Sequence, residues 1–190
     1  MPAPKEERYT FADILAGDES ERIELIDGVP YMMAPPSREH QRILTELFYQ
    51  IRAFLEGKKC QVYPAPFGVR LFSEKEDQPE EETGLLEPDI TVICDRDKLD
   101  DHGCKGAPDL VIEILSPSTQ RHDRMVKYEL YRRAGVREYW IVDPETKTVQ
   151  VCVLEDGQYY APQVYTVGAE VAVSVLEGCV IDLAPVFEEV

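Results

Sequence analysis

The sequence has no apolar run near the roughly 18 residues of a membrane-spanning helix. Residues 1–7 lack the basic and then hydrophobic pattern of a signal peptide. These absences predict a soluble, cytoplasmic protein without a membrane partner. Basic residues are scarce, with 20 Lys and Arg against 37 Asp and Glu and a net charge of −17. That balance argues against a protein that coats nucleic acid, because phosphate binding depends on basic surface, but it allows a local basic groove or a metal site.

Cysteine pairs of the CxxC type are also missing. The five cysteines are odd in number and scattered along the chain: Cys60, Cys94, Cys104, Cys152 and Cys179. We interpret them as buried or free thiols of a reducing compartment. A zinc site would need histidines at ligand spacing, and His40, His102 and His122 do not provide them.

The 190 residues are 44% hydrophobic, which is enough to bury a core, and they contain no repeat or internal boundary. We therefore predict a single domain over residues 1–190. Its first elements are a short helix over 14–16 behind a capping box at Thr10 to Asp13, and a hairpin of 22–26 and 29–33 around Asp27-Gly28. Ser37 then caps a long helix to about Leu55, with His40 in its apolar face.

The second half of the chain is rich in strand patterns. Predicted strands cover 60–63, 69–72, 90–94, 110–115, 138–143 and much of 149–175, with a turn at Asp156-Gly157. Residues 73–84 read as an acidic, mobile loop, and a helix over about 120–134 ends at Gly135. This order predicts an α+β (mixed α/β) fold, in which helices flank a central mixed sheet and extra β-hairpins are attached.

Two carboxylates interrupt the apolar strands. Asp89 begins one strand directly after Pro88, and Glu113 lies inside Leu-Val-Ile-Glu-Ile-Leu. If these strands form an antiparallel pair centred near Asp101, then Asp89 is opposite Glu113 and Thr91 is opposite Val111. Opposed side chains lie about 5 Å apart, where two buried carboxylates repel each other unless a cation or a proton lies between them.

Mg²⁺ or Mn²⁺ held by Asp89 and Glu113 would remove that repulsion, since hard divalent cations prefer carboxylate oxygens. The alternative is a structural salt bridge from Glu113 to a buried Arg or Lys. Lys127 shares a helix face with Asp123, Leu130 and Tyr131, so we expect it to point towards the sheet. There it could position a water molecule or stabilise phosphate charge, or its stem could simply pack while its amine reaches the surface.

These residues resemble the PD-(D/E)xK nuclease superfamily, and more closely its bacterial, Uma2-type branch of restriction-endonuclease-like proteins. The resemblance runs from about Glu21 to Tyr160. It rests on Glu24-Leu25-Ile26-Asp27-Gly28, Pro88-Asp89, Glu113-Ile114-Leu115-Ser116-Pro117-Ser118-Thr119, Asp123 with Lys127, Tyr131, and the run from Ala134-Gly135 to Tyr139-Trp140-Ile141-Val142-Asp143-Pro144. It implies a restriction-endonuclease-like core and Mg²⁺-dependent hydrolysis of phosphodiester bonds in DNA.

The resemblance also implies roles for particular residues. Asp89 and Glu113 would hold the metal with the backbone carbonyl of Ile114. The usual motif places its lysine two residues after the glutamate, where this chain has Leu115, so Lys127 would take that role.

Glu24 could complete the metal shell or be a surface carboxylate. His40 could contact a phosphate or water, or be a core histidine.

Other interpretations stay open. The displaced lysine and the net charge suit a catalytically inactive nuclease-fold module that binds nucleic acid or protein. A hydrolase with a serine nucleophile is disfavoured, because no Gly-x-Ser-x-Gly surrounds Ser116 or Ser118 and both fit a helix start. Asp109, after Pro108, reads as a strand-start residue. The acidic surface predicts weak, salt-sensitive DNA binding, which a homodimer could assist.

Overall fold

The computed structural model describes residues 8–18, 21–74, 76–116 and 122–188, with the side chains of 122 and 123 excepted. Its helices are α1 (Phe11–Leu15), α2 (Arg38–Phe54), α3 (Tyr128–Ala134) and α4 (Leu183–Phe187). A π-helical stretch, His122–Lys127, leads directly into α3. None of the helices in these ranges is long and apolar enough to cross a membrane.

Fourteen strands accompany the helices in these same ranges. In chain order, their bounds are β1 (Ile23–Ile26), β2 (Val29–Met32), β3 (Gln61–Pro64), β4 (Val69–Arg70), β5 (Ile90–Ile93), β6 (Leu99–Asp100), β7 (Gly103–Lys105), β8 (Leu110–Ile114), β9 (Glu138–Asp143), β10 (Thr148–Glu155), β11 (Gln158–Tyr159), β12 (Gln163–Thr166), β13 (Glu170–Ala172) and β14 (Val180–Asp182).

The central sheet has the order β11-β10-β9-β8-β5-β3, and β12 also pairs with β10. Strands β8 and β9 are parallel. The pairs β3–β5, β5–β8 and β9–β10 are antiparallel. The predicted mixed sheet is therefore confirmed. Small separate sheets, β1-β2, β13-β14 and β4-β7-β6, are attached to it.

Strands β5 and β8 are buried along their whole length, in keeping with their nearly continuous apolar sequences. Their register pairs Thr91 with Val111 and Ile90 with Ile112, as the sequence predicted. One face of the sheet packs against α2 and α4, and the other packs against α3 and the β4-β7-β6 sheet. Glu113 in β8, and Asp89 directly before β5, therefore lie on the central strands of the fold or next to them.

Local signals placed several element boundaries correctly. Thr10 and Asp13 form a reciprocal capping box, although α1 begins at Phe11, before the predicted 14–16. The Ser37 side chain accepts the backbone N–H of His40 at the start of α2. Asp27 and Gly28 both have positive φ, which suits the two-residue turn of the β1-β2 hairpin.

The acidic segment 73–84, predicted to be a mobile loop, is anchored at its far end. The backbone N–H groups of Phe11, Ala12 and Gly28 donate to the carbonyls of Glu82, Pro79 and Thr83. The Glu82 carboxylate is itself buried. The loop prediction failed to foresee these contacts because they are made to α1 and the hairpin, which are distant in sequence.

The interpretation of all five cysteines as unpaired thiols is wrong for two of them. Cys60 and Cys94 form a disulfide, with their Cα atoms 4.0 Å apart. The β3–β5 register pairs Gln61 with Ile93. Because Cys60 precedes Gln61 and Cys94 follows Ile93, the same register places the two cysteines opposite each other. The other three cysteines are free and buried.

Candidate active site

Asp89 lies just before β5 and reaches the end of β8. Its Oδ2 accepts the backbone N–H of Ile114 at 2.7 Å and lies 3.2 Å from Nε2 of His40. This contact follows from the antiparallel register, which carries Asp89 to a position beside Glu113. The register of the sheet therefore brings Asp89 and Glu113 to neighbouring positions, where Asp89 contacts the backbone of Ile114.

Glu113 is joined to Glu24 through Lys127. The Lys127 ammonium lies 2.9 Å from Oε1 of Glu113 and 2.8 Å from Oε1 of Glu24, and all three side chains are buried. The same Glu24 oxygen accepts the backbone N–H of Glu87 at 3.1 Å. Glu24 comes from β1 and Lys127 from the end of the π-helical stretch. The amine thus lies between two acids, as the salt-bridge alternative for Glu113 required.

Tyr131 contributes a second donor to Glu113. It lies four residues after Lys127 and therefore on the same helical face. Its hydroxyl donates to Oε1 of Glu113 at 2.6 Å. Burial, together with the nearby Glu113 carboxylate, raises the pKa of the Tyr131 hydroxyl well above its usual value, so this group acts as a hydrogen-bond donor.

His40 reaches the site from the first turn of α2. It is 8% exposed, and its Nδ1 atom is buried without a hydrogen-bond partner in the part of the chain that the structure describes. It lies one turn before Leu44 in α2, and from there its Nε2 atom contacts the Asp89 carboxylate. His40 is thus both packed in the core and in contact with a site carboxylate.

These side chains border one cleft of about 770 Å³. Its walls come from the β1-β2 hairpin, the start of α2, the end of β8 and the end of β9. The lining includes the five predicted residues Glu24, His40, Asp89, Glu113 and Lys127, and also Ile114. The structure therefore gathers every predicted site residue, while Asp109 lies elsewhere and pairs with Arg137 at 3.0 Å.

Other polar residues at this cleft were missed by sequence reasoning. Asp143 ends β9 and pairs with Arg124 at 2.9 Å, and Arg22 pairs with Glu87 at 2.8 Å. Because β8 and β9 run parallel, their carboxyl ends meet at one sheet edge, which was the signal available for Asp143. Ser116 lines the cleft too, whereas Ser118 and the predicted helix start lie outside the described residues.

The formal charges of the cluster do not balance. Glu24, Asp89 and Glu113 provide three carboxylates, and Lys127 provides one ammonium. Among the described side chains, carboxylates therefore outnumber ammonium groups in this largely buried setting, which is costly without a further cation or proton. Within the described ranges, however, no three His, Cys, Asp or Glu side chains are already gathered as a metal-binding group.

The fold is thus a mixed sheet that carries acids from adjacent strands and a lysine from the flanking helix at one edge. A crystal structure titled as that of a putative nuclease belonging to DUF820, from Anabaena variabilis, has this fold. It superposes with a TM-score of 0.73 at 21% identity, covering 94% of this chain and 97% of that one.

The chain belongs to the Uma2 family, described as "Putative restriction endonuclease", whose model matches residues 9–184. This confirms the resemblance stated from the motifs. A curated relative, "Uncharacterized protein slr1290" from Synechocystis, is 30% identical over 112 residues, which is 58% of this chain and 54% of the relative. The chain thus spans about half the length of the curated relative it matches.

Proposed function

We propose that this protein is a metal-dependent endonuclease that hydrolyses phosphodiester bonds in DNA. The observation that carries the proposal is the convergence of Asp89, Glu113 and Lys127, from three separate elements, on one cleft with surplus negative charge. Family membership and fold support a nuclease-like function. The metal and the DNA substrate are our inference from the site's chemistry.

The donor set suits Mg²⁺ or Mn²⁺. Asp89 and Glu113 would hold the ion with the backbone carbonyl of Ile114, and Glu24 would complete the shell, because hard cations select oxygen ligands. The excess of carboxylates over ammonium groups among the described residues of the cluster suits a divalent cation. When bound, such an ion polarises a phosphoryl oxygen and lowers the pKa of a coordinated water.

The chain's own groups would orient and neutralise the substrate. The Lys127 ammonium is fixed between Glu24 and Glu113, where it can stabilise negative charge on a phosphate or position a water. His40 holds Asp89 and can contact a phosphate or water at the cleft. Tyr131 holds the Glu113 carboxylate by donating to the same Oε1 atom that Lys127 contacts.

A second candidate is a catalytically inactive module on a nuclease fold that binds nucleic acid or protein. The contacts of Lys127 favour it, because an ammonium already compensates Glu24 and Glu113 without a metal ion. This candidate predicts no uptake of Mn²⁺ at Asp89 and Glu113 and no cleavage of DNA.

Calorimetric titration with Mn²⁺, together with nicking of closed-circular DNA, tests the proposal. The wild type should bind Mn²⁺ and nick the DNA, whereas Asp89→Asn and Glu113→Gln should lose both properties while still unfolding in one cooperative thermal transition. Asp109→Asn is the matched control, since it removes a strand-start acid that lies away from the cleft. Equal nicking by the wild type, Asp89→Asn and Glu113→Gln would overturn the assignment.

A further inference from the structure

The β1-β2 hairpin turns one face towards the cleft. Its register pairs Glu24 with Tyr31, and Met33 donates its N–H to the Arg22 carbonyl one step along. Directly opposed residues share a face of the ribbon, and alternate residues repeat that face. Arg22, Glu24, Tyr31 and Met33 therefore form one row, and all four line the cleft.

The contact made by Glu24 shows which way the side chains of this row point. Its carboxylate contacts Lys127 inside the cluster, so the face that carries it is the one turned to the site. Tyr31, directly across from Glu24, lies further out and is 41% exposed. The hairpin thus places an aromatic ring, with the Met33 thioether beside it, at the mouth of the cleft.

The charge of the cleft limits how a polyanion could be bound there. Among the described residues that line it, acids outnumber bases: Glu24, Glu39, Asp89, Glu113, Asp143 and Glu145 against Arg22 and Lys127. Arg22 is already paired with Glu87, and the whole chain carries a net charge of −17. Phosphate contacts supply most of the affinity of duplex-binding proteins, and this lining provides few of them.

Stacking on an aromatic ring needs no positive charge, because every base has a π-face. In a continuous duplex those faces are covered by the neighbouring base pairs, whereas an unpaired base exposes them. We infer that Tyr31 is a stacking platform for an unpaired base, so that the cleft takes single-stranded or frayed DNA in preference to continuous duplex. This inference rests on the proposed function for its choice of substrate.

Binding by fluorescence anisotropy, at one salt concentration and without divalent cations, measures the preference. The probes are a labelled DNA strand, its matched duplex, and a strand of equal length that lacks bases but keeps every phosphate. The wild type should bind the ordinary strand about 5- to 150-fold more tightly than the base-free strand, which is the range expected for one stacked base. It should also bind it more tightly than the duplex.

Substitutions of Tyr31 test whether its ring causes the preference for the single strand that carries bases. Tyr31→Ala should abolish it, whereas Tyr31→Phe should retain it because the ring remains. Tyr49→Ala is the matched control, since Tyr49 is an exposed tyrosine of α2 outside the cleft-lining residues that the structure describes. Equal binding of all three probes by the wild type, or an unchanged preference in Tyr31→Ala, would overturn the inference.

The outcome of this binding experiment is distinguishable from the outcome of the Mn²⁺ titration and nicking assay that test the proposed function. A preference that depends on Tyr31, in a protein that neither binds Mn²⁺ nor nicks DNA, would support the inference and overturn the nuclease proposal. Nicking that depends on Asp89 and Glu113, without a preference for single strands, would overturn the inference and leave the nuclease proposal standing.

Discussion

Two charge clusters with buried members are built differently. The loop cluster consists of Arg70, Glu82, Asp100 and Lys105. Arg70 lies 2.6 Å from Asp100 and 3.5 Å from Glu82, and Lys105 lies 3.1 Å from Glu82. Its two bases and two acids balance, and Arg70 also lies over the Phe11 ring.

The site cluster consists of Glu24, Asp89, Glu113 and Lys127, and it does not balance. It borders an open cleft, whereas Arg70 and Glu82 of the loop cluster have side chains that are only 1% exposed. A network in which acids and bases balance needs no further ion, and the loop cluster attaches the acidic loop to β4 and β7. An acid surplus at a cleft retains the capacity to bind a cation. The difference in charge and access therefore fits a structural role for the loop cluster and the proposed chemical role for the site cluster.

The largest expected effect is the loss of Arg70. Arg70→Met would leave Glu82 buried with Lys105 as its remaining salt-bridge partner among the described residues. Breaking a buried ion pair from one side costs about 3–5 kcal/mol. Urea unfolding would measure this loss in the free energy of unfolding. Arg137→Met, which removes an exposed ion pair with Asp109, should cost about 1 kcal/mol or less. A cost for Arg70→Met as small as this would show that the loop cluster does not hold the fold.

Lys127→Met makes the corresponding change in the site cluster. It leaves Glu24 and Glu113 without their shared ammonium, and we expect a loss of about 3 kcal/mol in metal-free buffer, because a buried pair is again broken from one side. Added Mn²⁺ should restore part of this stability, and it should stabilise the variant more than the wild type. Arg70→Met should show no such rescue. An equal response of both variants to Mn²⁺ would remove the distinction between the clusters.

Tyr131→Phe should have a smaller effect, since it removes only one hydrogen bond to the Glu113 carboxylate. Bonds to charged acceptors contribute about 1.5–3 kcal/mol, so we expect a loss near the low end, about 1.5 kcal/mol. Tyr159→Phe is the control, because that buried hydroxyl donates to the neutral carbonyl of Val136 at 2.7 Å. Only Tyr131→Phe should also weaken Mn²⁺ binding in the titration. Weakened Mn²⁺ binding in both variants would indicate a general packing defect instead.

Much of the site could be predicted because its signals are local. The interruption of apolar strands by Asp89 and Glu113, the short polar connection between them, and the helical spacing of Lys127 and Tyr131 need only the periodicities of strand and helix. The β5–β8 register followed from that connection. Such patterns fix which face a side chain occupies, and two adjacent strands then bring the acids together.

What could not be predicted depends on pairings between distant segments. The Glu24–Lys127 contact joins β1 to the π-helical stretch, and the Cys60–Cys94 disulfide follows from the β3–β5 register. The anchoring of the acidic loop through Glu82 depends on β4 and β7, and α4 is too short to give a periodic signal. None of these has a local sequence signal, because each requires the tertiary fold first.

The smallest expected effect concerns Glu138, a buried acid that belongs to neither cluster. Its carboxylate accepts the Trp140 Nε1–H at 2.7 Å and the Val175 N–H at 2.9 Å. Burial raises the pKa of Glu138 despite these hydrogen bonds, so the folded state holds its proton more tightly than the unfolded chain. The resulting stabilisation is complete below the unfolded-state pKa and is lost as the pH rises through the higher folded-state value.

Glu138→Gln removes this titration while keeping an oxygen acceptor for the Trp140 indole. Urea unfolding between mildly acidic and neutral pH should therefore show that the stability of the wild type falls relative to that of the variant as the pH rises. The difference should level off above the folded-state pKa, because the carboxylate is then ionised in both states. Parallel stability curves would mean that the Trp140 and Val175 hydrogen bonds compensate the buried charge fully. A single acid without a cationic partner would then be tolerated by hydrogen bonds alone, and the surplus charge of the site cluster would no longer indicate a bound cation.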